Sequence, residues 1–309
     1  MWPALMNKYS YILAIILPLN LLAGEAITDG RKIHTDRVDS ICLMPDKIIS
    51  ASFDGLIKST IENTSSIIGR HNDWVRKIIC NGNYVISASN DGYISVWDGS
   101  NKISSVKAHS WWASDIALSG NKLVSVSLDE TVKVWSYPAL ELLYSHKIYG
   151  SNKHYSVSVN DGKAFIGSTF GGISILDISS FKWLMQNKFI TDYYSIPLSM
   201  IKSDKAVFFG SSDGFITKMS TSSPYKSRRK KISKFPIKSL AYNQGVLYAS
   251  DNNGSLFKIK PKNIDDFSIL NHHVKSISAL AIKNNDIYAG YDNGFIRVFS
   301  KTEIEKNKN

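Results

Sequence analysis

Residues 85–98 read VISASNDGYISVWD, and the rest of the chain repeats their pattern. Two runs, 85–89 and 93–97, carry apolar or β-branched residues at every second place and flank an Asp91-Gly92 pair. Such alternation on both sides of Asp-Gly is the strongest short-range signal for a β-hairpin, because Gly accepts the positive φ of a tight turn. Counterparts begin at Ile48, Leu123, Ala164, Ala206, Val246 and Ile287. Their turn positions, Gly55, Gly92, Glu130, Gly172, Gly214, Gly254 and Gly294, lie 37, 38, 42, 42, 40 and 40 residues apart. A period of about 40 residues built from short strands is the mark of a β-propeller with one four-stranded blade per repeat. An ordinary β-sandwich with regular turns is the alternative, and seven turns in near-constant register argue against it. The pattern therefore predicts an all-β, seven-bladed propeller.

The chain has 309 residues, 43% of them hydrophobic, which suffices for one large core. Its net charge of +11 accompanies a general Lys, Asn and Ile bias, so it is a poor argument for nucleic acid, and no nucleic-acid partner is expected. Residues 1–26 do not fit the repeat. After Lys8 the chain runs uncharged through YILAIILPLNLLAG into small residues, as a cleaved secretory signal does, with cleavage after Ala23 or Ala26. The run is short for a membrane span of about 20 residues, and Pro18 and Asn20 weaken it, so no transmembrane anchor is expected after cleavage. An uncleaved anchor helix is the alternative. These features predict an exported, periplasmic chain. Residues 27–300 make the propeller, and 301–309 form a polar tail. The last repeat ends one strand short, and a strand at about 28–33 supplies it, closing the ring and removing exposed sheet edges.

Two repeats carry a further spacing. His71 precedes Asp91 by 20 residues and Trp97 follows six later; His109, Asp129 and Trp135 repeat this without change. His34 with Asp54, and His272 with Asp292, keep the first half. With Trp97-Asp98 at the strand end, the pattern closely resembles the WD-repeat family. That resemblance implies a hydrogen-bonded network in each blade of His, a Ser or Thr, the turn Asp and the Trp. Ser87 or Ser89, and Ser125 or Ser127, would be the hydroxyl members. Repeats four to six depart from it, with Leu176, Met219 and Ile259 near the strand end and no full His–Asp pair.

No catalytic or metal site is expected. The His and Asp residues belong to separate blades, and neither a nucleophile elbow, a phosphate-cradling Gly loop nor zinc-type Cys spacing is present. No cofactor is implied. Cys42 and Cys80 fall one residue out of phase in the first strands of blades one and two. That places them on opposite sides of their sheets and predicts two buried thiols, with an interblade bridge if the strands are offset. The basic run at 227–231 falls where an outermost strand belongs, a usual place for Lys and Arg that discourage strand pairing.

In WD-repeat proteins the residue before the turn Asp and the third residue after the blade His line the face that usually binds partners. By that resemblance the first set is Phe53, Asn90, Leu128, Phe170, Ser212, Asn252 and Tyr291, and the second is Arg37, Trp74 and Trp112. Arg37, Phe53, Trp74, Trp112, Leu128, Phe170 and Tyr291 would then form an apolar docking patch. The expected function is a non-catalytic exported scaffold or assembly accessory, monomeric, with protein partners. An exported propeller enzyme, or a small-ligand or cofactor binder using the channel, is the alternative. Size, signal and composition also resemble the NapL-type accessory proteins of bacterial periplasmic nitrate reductases. That resemblance implies a periplasmic redox enzyme as partner, holding the molybdenum, haem or iron–sulfur chemistry itself.

Overall fold

A computed structural model describes residues 30–148, 153–189, 195–272, 275–300 and 303. The expected leader at 1–26 and almost all of the expected tail at 301–309 lie outside these. The described residues form seven four-stranded antiparallel sheets, each a blade. Six blades run in chain order from their inner strand outward; the second, for example, is Val75–Asn81, Tyr84–Ser89, Tyr93–Asp98 and Asn101–Lys107. The seventh takes three strands from the C-terminal repeat and its outermost strand, Arg31–Lys32, from the start of the described chain. Arg31 pairs with Ile296 and Lys32 with Phe295, so the two ends of the chain close the ring.

Burial peaks at the second strand of a blade and falls toward the outer edge, as the four strands of blade five show. Second strands are buried on both faces, as in Ala206–Ser211, because neighbouring blades press on either side. Outer strands face water, as in Thr64–Arg70. The cores therefore lie between blades. Met44, Ile49 and Ile57 of the first blade pack on Val75, Ile78, Val85 and Trp97 of the second. Val38 and Ile41 meet Ala279 and Ile296 across the closure. Polar groups on the inner strands join the blades as well. Ile78 N–H donates to Ser40 Oγ (3.1 Å), Val157 N–H to Asp115 Oδ2 (2.9 Å) and Leu280 N–H to Ser239 Oγ (2.9 Å).

At the hairpin of residues 85–98, Gly92 has φ of 78°, and a Cβ there would collide with the His109 carbonyl. The same position is Glu130 in the third blade, held at φ of 70°. In the fourth blade the positive-φ glycine is Gly171 and not Gly172: Gly167 pairs with Ile173 as Gly210 does with Ile216, so the hairpin keeps the common length and its turn position lies one residue earlier than expected.

Cys42 and Cys80 form a disulfide, with Cα atoms 5.7 Å apart, correcting the expectation of two buried thiols. They are one residue out of phase, as the spacing implies. In a ring of stacked blades, however, one face of a sheet looks onto the opposite face of the next. Out-of-phase positions are therefore the ones that meet, here in the core between blades one and two.

The basic run is the outermost strand of blade five, Ser227–Lys231. Arg229 bonds Asp213 at 2.8 Å and lies 4.1 Å over the Phe215 ring. Arg228 and Lys230 both pair with Asp265 on the outer strand of blade six.

Candidate partner-binding rim

Each hairpin turn touches the blade on either side of it, and this contact places the candidate residues. The turn Gly carbonyl accepts from the backbone N–H of the residue that begins the next blade: Gly55 from His71, Gly92 from His109, Gly214 from Ser233 and Gly294 from His34. Within the second blade, His71 Nδ1 donates to Asp91 (3.0 Å), and its Nε2 accepts from Ser87 Oγ (2.8 Å). Ser87 Oγ in turn accepts from Trp97 Nε1 at 2.8 Å. The third blade repeats the chain with His109, Asp129, Ser125 and Trp135 at 3.2, 2.8 and 2.9 Å. The first has His34, Asp54 and Ser50 at 3.0 and 2.9 Å without the Trp. Ser89 and Ser127 act elsewhere, accepting the backbone N–H groups of Asp91 and Asp129. Although a Ser–His–Asp series invites a catalytic reading, Ser50, Ser87 and Ser125 have no exposed surface and cannot meet a substrate. Among the described residues, no group of three or more His, Cys, Asp or Glu is gathered as for a metal ion.

On the same turns as the His–Asp pairs, a second ring of backbone bonds marks the rim. The N–H groups of Phe53, Asn90, Leu128, Thr169, Ser212, Asn252 and Asp292 donate to the carbonyls of Arg37, Trp74, Trp112, Lys153, Ile196, Pro236 and Ser276. This ring corrects three positions. In blade seven Asp292, exposed, sits at the rim, and Asn293 holds the turn position, accepting from Phe295 N–H. Tyr291 is therefore one place inward and buried, not part of the patch. Asp292 is thus a rim residue and not the turn acid, and the expected His272–Asp292 pairing falls on a side chain outside those described. In blade four, Thr169 takes the rim position, and Phe170 replaces the turn acid at φ of 59°. Leu128 does occupy the rim backbone position, but its side chain turns inward and is buried.

The other four residues converge. The Phe53 and Trp74 rings stack face to face, centroids 4.1 Å apart. Trp74 lies 6.3 Å from Trp112, which meets Trp111 edge-on at 5.9 Å. The guanidinium of Arg37 lies 4.9 Å from the Phe53 centroid, and that of Arg76 lies 5.6 Å from Phe53 and 5.4 Å from Trp112. Lys153 of blade four sits 4.7 Å over Trp111. A band of four aromatic rings with three cations thus crosses blades one to four, and Trp74 and Trp111 are 38% and 44% exposed. Spacing alone missed Trp111, Arg76 and Lys153; they are found by the rings they touch, since cations prefer aromatic faces.

Residues 63–98 match the WD40 repeat family (WD domain, G-beta repeat). The matched repeat is offset by one strand from a blade, combining the outer strand of blade one with the inner three of blade two. The ring is a seven-bladed propeller in which this one repeat matches the WD40 family. The crystal structure of the computationally designed Ika8 protein is similar to it in fold, with a TM-score of 0.63 at 18% identity, over 86% of this chain and 96% of that one. A comparison with curated proteins found no match. WD-repeat propellers serve in general as protein-interaction scaffolds.

These buried groups predict that the propeller loses stability in acid. Burial raises the carboxyls of Asp54 and Asp91. The hydrogen bond and charge of His34 and His71, together with backbone N–H groups, outweigh it and hold each at about 2. Asp129 is lowered in the same way by His109 and Thr131. Burial pushes His109 down from its ordinary 6.5, and His154, which bonds Ser168 at 2.8 Å, down to about 4. All of these groups bind protons more readily in the unfolded chain. Their contribution is complete above about pH 6.5, declines below it as the unfolded histidines take up protons, and falls again between about 4 and 2 with the carboxylates. Urea unfolding followed from pH 8 to 3 should show a midpoint that is flat above 7 and drops in two stages. A midpoint unchanged down to pH 4 would contradict the assignment.

Proposed function

We propose that this protein is an exported, non-catalytic docking module that holds a protein partner on the aromatic band formed by Phe53, Trp74, Trp111 and Trp112. The band is the observation that carries the reading. Rigid aromatic rings beside arginines are the composition of interaction hot spots, and stacking and Asp39 already order these side chains before a partner arrives. Export is supported by the leader-like residues 1–26 and by the Cys42–Cys80 bridge, a feature of oxidising compartments. The finer reading, a periplasmic nitrate reductase or related redox enzyme as the partner, rests on the resemblance in size, leader and composition described above. No helix among the described residues is long and apolar enough to cross a membrane.

The test is purification of tagged, processed protein from the exported fraction, with mass spectrometry of what accompanies it. Phe53→Ser and Trp74→Ser should each weaken capture of the partner by about thirtyfold or more, as loss of a hot-spot aromatic does, while the ring stays folded. Asn252→Ser, at the exposed rim position of blade six across the ring from the band, should leave capture unchanged. A partner retained by both aromatic variants, or an unprocessed chain found in the cytosol, would overturn this reading.

A further inference from the structure

The axis of the ring contains a cavity of about 290 Å³ lined by inner-strand residues of all seven blades. Four of them are cationic, Arg37, Arg76, Lys77 and Lys238, and two are acidic, Asp39 and Asp115. Asp39 is engaged by both guanidiniums, Arg37 at 2.6 Å and Arg76 at 3.3 Å. Asp115 accepts the N–H groups of Ile116 and Val157 at 2.9 Å each and faces Lys77 at 3.9 Å. Burial raises the Asp115 carboxyl from its ordinary value, against the opposing pull of Lys77 and the two N–H groups. Lys238 makes no side-chain hydrogen bond or ion pair among the described residues. Burial lowers its ammonium from the ordinary value, and the neighbouring Arg37 and Arg76 lower it further, against the opposing pull of Asp39. Two more lining groups, Arg37 Nε and Ser199 Oγ, are buried with no hydrogen-bond partner among the described residues.

A chain does not gather four cations around two acids in a low-dielectric channel at no cost. Like charges repel there, and unpartnered buried donors are unfavourable. A small anion entering from the mouth would remove both costs, and the field of the channel would draw it in. We propose that the channel is a binding site for a compact oxyanion, a carboxylate or phosphate group, received by Lys238 with Arg37 and Ser199. The anion is either a free small molecule or a carboxylate carried on a peptide. Arg37 also stacks on Phe53, so the site opens beside the aromatic band, but it is a separate site and does not depend on the docking reading.

Isothermal titration of the processed protein distinguishes the sources. One arm uses citrate and inorganic phosphate; the other uses an end-blocked peptide containing two glutamates. At least one probe should bind with 1:1 stoichiometry and an affinity that falls with added chloride. Lys238→Met keeps the apolar stem and should weaken that binding by about tenfold or more, the value of a charge-assisted hydrogen bond. Lys230→Met, on the outer edge of blade five, should bind as the parent does. Without anion, Lys238→Met should melt at the same temperature as the parent or higher, since it removes a repelled and unpartnered charge. Binding by citrate or phosphate alone identifies a small-molecule site, and binding by the peptide alone a peptide-borne carboxylate. No binding by any probe, equal binding by Lys238→Met, or a marked drop in its melting temperature would overturn the proposal. Phe53→Ser and Trp74→Ser test the rim separately, because neither removes a cavity cation.

Discussion

Asp91→Ala should lower the unfolding free energy by about 3 kcal/mol, the cost of leaving buried hydrogen-bonding groups without their charged partner. The carboxylate, only 10% exposed, receives His71 Nδ1 and the backbone N–H groups of Asn72 and Tyr93 at 2.9–3.0 Å. Water can serve Asn72 and Tyr93, which are exposed, but not the His71 ring, which is buried between Ser87 and the turn. Because the His71 backbone also caps the turn of blade one, the loss should be felt in two blades. Asp292→Ala is the control. Both acids are read from sequence as turn residues, yet Asp292 is exposed at the rim, where substitutions typically change stability by less than about 0.5 kcal/mol. Urea unfolding of the two variants decides the matter: equal losses would mean that the network contributes no more than an ordinary surface turn.

Removing the Cys42–Cys80 bridge should cost about 4 kcal/mol on the chain-entropy estimate for a closed loop of this length. The loop spans 38 residues and contains three strands of blade one, so the bridge restrains the unfolded chain as well as joining two blades in the folded one. The measurement is urea unfolding with and without dithiothreitol, repeated on Cys42→Ser/Cys80→Ser. Parent protein with dithiothreitol should match the double variant. Two titratable thiols in protein purified without reductant, with stability unaffected by dithiothreitol, would show that the bridge does not form, and would remove one support for export.

The hairpin period made the ring legible, because alternation and a Gly-containing turn are local properties that each repeat states for itself. The His71–Asp91–Trp97 and His109–Asp129–Trp135 spacings were legible for the same reason, since all of their members lie within one blade. Errors arose where a position depends on its neighbour. The Asp292 spacing matched by one residue too few, and only the backbone bond from Asp292 to Ser276 shows which residue takes the rim. Leu128 has the right backbone place, and packing alone turned its side chain inward.

What the sequence by itself determined is thus the repeat: seven blades, the closing strand, six of the seven turn positions and the polar network within blades one to three. Tertiary structure alone decided what lies between blades. It brought Cys42 to Cys80, stacked Phe53 on Trp74, laid Arg76 across Phe53 and Trp112, and collected four cations around one axis. The physical reason is one of range. A hairpin is specified by residues a few places apart, whereas these contacts join residues about 20 to 200 places apart, whose meeting depends on the angle at which each blade is turned against the next.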